Sequence, residues 1–224
     1  MPEPARLHRI HDRLLNALGP QHWWPAETPF EVMVGAVLTQ NTAWTNVEKA
    51  IANLKAGEML SCSAILAVDT PDLAETIRPA GFFNVKARRL QALCVFLRDM
   101  GVADHPEELA ALGSQPDLRQ QLLAVHGVGE ETADSILLYA LGLPSFVVDA
   151  YTRRIFSRLA FLQGQETYGE IQALFQRHLP VNTRLYNEYH ALIVALGKDF
   201  CRPKPRCQQC PLWDACPYAA APRA

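Results

Sequence analysis

Residues 125–133 read Val125-His126-Gly127-Val128-Gly129-Glu130-Glu131-Thr132-Ala133, and a helical run follows them. Two glycines that flank a valine let the backbone turn sharply between two helices. Backbone N–H groups then point outward at the start of the second helix, where they can hold a phosphate oxygen. Such a turn binds the DNA backbone without reading the base sequence. The candidate DNA-binding residues of this turn are Gly127, Val128, Gly129 and Thr132.

One carboxylate stands out further along the chain, where the segment reads Val147-Val148-Asp149-Ala150-Tyr151-Thr152-Arg153-Arg154. Asp149 lies between an apolar run and a helical pattern, which is the position of a helix N-cap. The N-terminus of a helix stabilises a carboxylate as the anion, so we expect a low pKa for Asp149. Taken alone, capping of the helix explains this aspartate as well as a catalytic role does.

The composition is typical of a globular, helical protein. Of the 224 residues, 49% are apolar, and no alternation of apolar and polar residues is sustained as it would be in a strand. Capping boxes are predicted at Thr28–Glu31, with Pro29 at the first helical position, and at Thr167–Glu170. The periodicity predicts helices that include residues 43–55, 85–100, 117–125, 132–141 and 183–197. We therefore expect an all-α fold.

The sequence gives no sign of export or membrane insertion. The first six residues contain no apolar segment, and the longest apolar stretch, 136–148, is interrupted by Gly142 and Pro144. We expect a soluble, cytoplasmic protein.

The net charge of −2 excludes a general basic field, so any affinity for DNA must come from local basic patches. One patch consists of Lys86, Arg88 and Arg89, for which charges on a solvated helix face are the competing interpretation. A second patch contains Arg153, which is a candidate DNA contact, with Arg154 and Arg158. A third patch consists of Lys198, Arg202, Lys204 and Arg206.

Four cysteines crowd into the end of the chain, at Cys201, Cys207, Cys210 and Cys216. Interspersed prolines prevent a helix there. Such crowding indicates a metal centre, and four thiolates suit either zinc or a [4Fe–4S] cluster, between which the spacing does not choose. Disulfide pairing is the competing interpretation. Cys62 and Cys94 lie in helical apolar patterns and are expected to be reduced core residues.

Together, the Gly-Val-Gly turn, the apolar Val-Asp and the cysteine loop resemble the helix-hairpin-helix DNA glycosylases of the endonuclease III type. The resemblance extends to the segment Leu38-Thr39-Gln40-Asn41-Thr42. It implies a two-lobed helical fold, with one lobe at 28–142 and the other formed by 1–27 and 143–224. It also implies that Asp149 lies in the cleft between the lobes and that the cysteines hold a [4Fe–4S] cluster, although the first cysteine spacing is one residue shorter than usual in these proteins.

The resemblance also implies a reaction. Cleavage of a glycosidic bond passes through an oxocarbenium-like sugar, which the Asp149 carboxylate would stabilise while orienting or deprotonating water. Bifunctional members have a lysine where this chain has Glu131, and a carboxylate forms no imine. We therefore expect a monofunctional glycosylase that leaves an abasic site and has no AP-lyase activity.

The substrate is inferred from charge and stacking. If Glu131 faces the flipped base, it favours a cationic alkylated purine such as 3-methyladenine. The aromatic candidates for the base pocket are Trp44, Trp24 and Trp23, which are suited to sandwich a flat cation but equally to pack in the core. On this basis the chain resembles most the 3-methyladenine-excising branch of the family.

Relatives fill the gap left by the flipped base with a polar side chain from the segment that corresponds to Leu38–Thr42. Gln40 or Asn41 would do so here, and capping of a helix C-terminus is the competing interpretation for Asn41. The expected partner is double-stranded DNA with a damaged base, which would associate the protein with the nucleoid. We expect the protein to be a monomer and to have no membrane partner.

Three alternatives remain open at the level of sequence. The first alternative substrate is a mismatched or damaged pyrimidine or a mispaired adenine, in which case Glu131 would hydrogen-bond a neutral base or position water. A noncatalytic protein that binds DNA lesions would retain the turn and the cysteines, but it would have no need of Asp149. A metal-sensing regulator would use the cysteines but not the turn.

Overall fold

The computed structural model describes residues 3–220, and side chains within 5–220. All regular secondary structure in these residues is helical, which confirms the predicted fold class. None of the described helices is long and apolar enough to span a membrane. Residues 1, 2 and 221–224 lie outside the described residues. All six belong to the expected second lobe, and residues 1 and 2 also belong to the N-terminal segment in which an export signal was sought.

Twelve α-helices follow one another along residues 3–220. They are α1 (Glu3–Leu18), α2 (Pro29–Leu38), α3 (Trp44–Ala56), α4 (Cys62–Ala67), α5 (Thr70–Thr76), α6 (Phe83–Asp99), α7 (Gln115–Ala124), α8 (Glu130–Ser135), α9 (Ala150–Arg158), α10 (Tyr168–His178), α11 (Thr183–Asp199) and α12 (Pro217–Ala220). A π-helix, Ile136–Ala140, continues α8. Short 3-10 helices occur at Arg78–Ala80, Pro106–Ala111, Cys207–Gln209 and Trp213–Ala215.

The chain divides into two compact units. The central unit is Trp24–Ser145, and the terminal unit combines the residues up to Trp23 with those from Phe146 onward. The cleft between two lobes stays a prediction.

The central unit is built around α2, in which every residue from Phe30 to Leu38 is buried. The helix begins where the Thr28 hydroxyl accepts a hydrogen bond from the Glu31 N–H at 3.1 Å, with Pro29 in the first turn. The Glu31 carboxylate accepts from the N–H of Glu27 rather than of Thr28, and it also binds Lys55 at 3.0 Å. The cap at Thr28 is confirmed, but the capping box with Glu31 does not form, because the Glu31 carboxylate is paired with Glu27 N–H and Lys55 instead.

Aromatic side chains form the core of the terminal unit. Phe146 stacks on Phe175 with ring centroids 3.9 Å apart, and Tyr189 meets both rings edge-on. The Tyr189 hydroxyl donates to the Leu7 carbonyl oxygen at 2.9 Å and so joins α11 to α1. This packing fixes residue 146, three positions before Asp149.

Candidate active site and DNA-binding elements

The glycine turn lies between α7 and α8 as predicted. Gly127 has φ +84°, a conformation that side chains other than that of glycine rarely adopt. A Cβ there would also collide with the side chain of Arg89. Gly129 is the N-cap of α8 in an extended conformation, so this turn admits little but glycine at 127.

Gln40 ties the loop after α2 to this turn. Its Nε2 donates to the Gly127 carbonyl oxygen at 3.0 Å and to the Thr132 hydroxyl at 2.8 Å. Its Oε1 accepts a hydrogen bond from Arg89 Nη1. Asn41 is exposed and has φ +53°, while Thr39 is the C-cap of α2. Of the two residues predicted to fill the DNA gap, Gln40 is engaged within the protein, and Asn41 faces outward without capping the helix.

The side chain of Lys86 binds the same loop, between Leu38 and Thr42. The side chain is buried, and Nζ donates to the carbonyl oxygens of Leu38 at 2.7 Å and Ala80 at 2.8 Å and to the Thr42 hydroxyl at 2.6 Å. Burial, and to a lesser extent the charge of Arg89, lowers the pKa of Lys86 to about 8. The sequence predicts a basic patch at Lys86, Arg88 and Arg89 but not the burial of Lys86, because one sequence does not distinguish a buried cation from an exposed one.

Asp149 is the N-cap of α9, as predicted. Its Oδ1 accepts from the N–H of Thr152 at 2.6 Å and from the Thr152 hydroxyl at 2.8 Å. Its Oδ2 lies 3.6 Å from Nε2 of His190, and only 11% of the side chain is exposed. Burial acts most strongly and raises the pKa of Asp149, but His190 and Thr152 together outweigh it and hold that pKa below its ordinary value. A largely buried carboxylate is thus kept ionised.

Glu131 lies in the first turn of α8 and is exposed, as is Glu130. Glu130 lies 3.5 Å from Arg119. Arg119 in turn makes a two-pronged ion pair with the fully buried Asp134, with both N···O distances 2.9 Å. The hairpin helices α7 and α8 are therefore joined by charge as well as by apolar contacts.

Two of the three candidate tryptophans meet in the central unit. The rings of Trp24 and Trp44 contact edge to face with centroids 5.2 Å apart, and Tyr139 lies 5.3 Å from Trp24 on another side. Trp24 also packs on Gly35. Both tryptophans are partly buried against the core, whereas Trp23 belongs to the terminal unit.

The arginines of α9 bind backbone carbonyl oxygens of the terminal unit. Arg153 donates to Glu166 at 2.8 Å and Arg154 to Cys201 at 2.8 Å. Arg158 donates to the oxygens of Arg202 and Pro203 at 2.7 and 3.1 Å. This patch therefore holds the cysteine loop in place.

The four terminal cysteines line one small cavity, which Arg158 and Trp213 border. None of the cysteines at 62, 94, 201, 207, 210 and 216 is in a disulfide. Burial raises the pKa of the Cys210 thiol, and the charges of the other three terminal cysteines act in the same direction. No group of three His, Cys, Asp or Glu side chains among the described residues is placed to hold a metal ion. The four thiols line one cavity without lying in a metal-binding arrangement, so they are a candidate ligand set by their chemistry.

Comparison with known proteins agrees with this arrangement. A Methanocaldococcus jannaschii protein named as a putative DNA repair glycosylase is 50% identical over 211 residues, which are 94% of this chain and 95% of that protein. A non-covalent complex of Endonuclease III with DNA matches with a TM-score of 0.84 at 24% identity, covering 98% of each chain, and shows the fold.

A second solved structure is the 3-methyladenine DNA glycosylase of H. pylori bound to 1,N6-ethenoadenine. It is 30% identical, with a TM-score of 0.72 over 88% of this chain and 98% of its own. The model of the family described as HhH-GPD superfamily base excision DNA repair protein matches residues 34–180. The chain therefore belongs to the HhH-GPD superfamily, as an endonuclease III-like DNA glycosylase of base excision repair.

Proposed function

We propose that the protein is a monofunctional DNA glycosylase that hydrolyses the bond between deoxyribose and a flipped, alkylated purine. The observation that carries the proposal is Asp149, which is 11% exposed and held ionised by His190 and Thr152. An ionised carboxylate in a poorly hydrated place stabilises the positive charge that develops at C1′ when the base leaves.

The hydrogen bonds of Asp149 suit this role. Thr152 engages Oδ1 through two donors, which holds the orientation of the carboxylate. Oδ2 lies 3.6 Å from Nε2 of His190, and we propose it as the oxygen that approaches the sugar or accepts a proton from water.

The absence of lyase chemistry is proposed from Glu131. An AP lyase needs an amine that attacks C1′ to form an imine, and the hairpin helix presents a carboxylate at that position. Two of the five lysines in the chain, Lys55 and Lys86, are engaged in the central unit, Lys55 with Glu27 and Glu31 and Lys86 with three oxygens.

A cationic purine is the substrate that the charges favour. Glu131 and Glu130 are exposed at the hairpin, where they would repel the phosphates of the DNA backbone but attract a base that carries delocalised positive charge. Trp44 offers an aromatic surface backed by Trp24, and stacking on a cation contributes about 1–2 kcal/mol. The likeness to a glycosylase named for 3-methyladenine supports the same choice. Trp23 lies in the terminal unit, as Asp149 does, and we propose it as the third aromatic side chain of the base pocket.

The DNA contacts follow from the same elements. The residues proposed to contact the duplex backbone are Gly127, Val128, Gly129 and Thr132, and Asn41 is proposed to enter the gap left by the flipped base. Gln40 supports the loop from within the protein. Arg153 is bound to Glu166 and would have to exchange that contact to reach DNA.

We further propose that Cys201, Cys207, Cys210 and Cys216 hold a [4Fe–4S] cluster, with zinc as the alternative. Four free thiols in one cavity provide the ligands. When bound, the cluster supplies a covalent cross-link for a loop too rich in proline and too short to form a core.

The experiment that tests the function is release of free base from duplex DNA treated with a methylating agent, with 3-methyladenine and 7-methylguanine resolved by mass. We expect release of a methylated purine without strand nicking. No release by folded, cluster-loaded protein would refute the alkylpurine assignment, and nicking at neutral pH would refute the monofunctional one.

A further inference from the structure

Two cations of α6 lie close together beside the hairpin, and all their hydrogen-bond acceptors are neutral. Lys86 donates to two carbonyl oxygens and a hydroxyl. Arg89 donates to the amide oxygen of Gln40. They are near enough that the charge of Arg89 lowers the pKa of Lys86, second to burial. The protein thus places two positive charges beside neutral oxygen atoms.

Arg89 lies directly against the hairpin turn. Its Cγ, Cδ and Nε occupy the space that a Cβ at Gly127 would need. Gln40, which accepts from Arg89, donates to Gly127 and Thr132. The guanidinium is therefore held at the turn by packing against Gly127 and by its hydrogen bond to Gln40.

The hydrogen bonds of Arg89 are incomplete. Its Nε is buried and has no hydrogen-bond partner among the described residues, although the side chain as a whole is partly exposed. Leaving a buried donor of a charged group unpaired costs free energy. An anion seated against the exposed part of the guanidinium would offset the repulsion between the two cations.

We propose that Arg89, with Lys86 beneath it, binds a backbone phosphate of the DNA duplex at the hairpin turn. The planar guanidinium has N–H groups in a fork that matches two phosphate oxygens. Lys86 does not touch the phosphate, and it acts as a fixed charge that also holds the Leu38–Thr42 loop in register. Glycine is then required at position 127 for two reasons: its φ is positive, and the Arg89 side chain occupies the space that a Cβ would need.

The number of phosphate contacts is measured by the salt dependence of binding. Each lost contact makes the slope of log Kobs against log[NaCl] less negative by about 0.9. We would titrate an undamaged, labelled duplex with the cluster-loaded protein and its variants across a range of NaCl concentrations. Arg89→Gln should reduce the slope by about 0.9. The matched control Arg98→Gln makes the same charge change at an exposed position of α6 that pairs with Asp99, and it should leave the slope as in the wild type.

Arg89→Lys separates charge from folding. Lysine keeps the charge and the aliphatic stem, so its slope should stay within the error of the wild-type value while affinity falls through loss of the fork. A wild-type slope for a folded Arg89→Gln protein would overturn the proposal. The use of undamaged DNA keeps this result independent of the base that the enzyme excises, since a wrong alkylpurine assignment would leave the slopes unchanged.

Discussion

Asp149 shows how one side chain caps a helix and remains available for chemistry. Capping uses a single oxygen, Oδ1, for both donors of Thr152. The second oxygen, Oδ2, lies 3.6 Å from Nε2 of His190. Helix capping and catalysis, which compete as explanations at the level of sequence, are therefore compatible in the structure, and the protein environment of Oδ2 determines how readily the carboxyl takes up a proton.

At this residue scale, His190→Gln should raise the pKa of Asp149. Burial, the largest influence, would still act to raise it, while the opposing effect of the imidazole would be gone. The acid limb of the pH–rate profile for base release should therefore move to higher pH. The surface variant His105→Gln serves as control, because His105 is exposed in the central unit.

The same shift affects stability with a defined sign. A carboxyl whose folded pKa is depressed stabilises the fold above its unfolded pKa, and this contribution is lost as pH falls through the folded pKa. His190→Gln should therefore diminish the contribution of Asp149 at neutral pH. An acid limb that coincides with that of the wild type would show that His190 does not govern Asp149.

Glu131 makes a second prediction at the residue scale. Glu131→Lys places an amine where bifunctional relatives carry one, so the variant should become trappable on abasic-site DNA by borohydride, which reduces an imine to a stable amine. Glu130→Lys adds the same charge one residue earlier, also at an exposed position, and should trap much less. Equal trapping by wild type and Glu131→Lys would contradict the monofunctional assignment.

At the scale of elements, local sequence patterns predict the longer helices but not the hydrogen bonds that Lys86 and Gln40 make to distant residues. The caps at Thr28, Asp149 and Thr167 are confirmed, because capping depends on residues three apart. The helices α4 and α5 were not predicted; they have six and seven residues, which is too short for a periodic signal.

Long-range contacts explain the remaining differences. Lys86 bonds to Leu38 and Thr42, which lie more than forty residues earlier in the sequence, and Gln40 bonds to Gly127. No local pattern encodes such pairs. For the same reason the sequence proposed Gln40 and Asn41 as equivalent candidates, whereas in the fold only Asn41 faces outward.

Lys86→Met tests the loop as an element. Methionine fills a similar volume but leaves the oxygens of Leu38, Thr42 and Ala80 without this donor, which should cost about 2–4 kcal/mol of unfolding free energy. Denaturant unfolding measures it, and Lys49→Met, at an exposed position of α3, should change it by less than about 0.5 kcal/mol. A loss as small as that of the control would mean that Lys86 does not hold the loop.

At the scale of the whole molecule, the negative net charge is compatible with DNA binding because the basic residues have separate tasks. The arginines of α9 bind the cysteine loop, whereas Arg89 and Lys86 lie at the hairpin. Global charge alone would have predicted weak association with any polyanion, so the spatial distribution of the cations carries the information.

The cysteine loop gives the prediction at this scale. Purified protein should contain iron and inorganic sulfide in equal amounts, and Cys210→Ser should reduce both and lower the thermal unfolding midpoint, because bound metal stabilises the folded state. Cys62→Ser, a buried cysteine of the central unit, is the control for metal content and should keep the full complement. Stoichiometric zinc without iron would contradict the cluster.

The single-turnover rate of base release by Asp149→Asn on methylated duplex DNA tests whether Asp149 performs the chemistry. Asparagine caps a helix about as well as aspartate, so stability and cluster content should be retained. The prediction is a fall of at least about 100-fold in the rate of base release, with the affinity for duplex DNA little changed. A folded Asp149→Asn protein that releases base at the wild-type rate would contradict it.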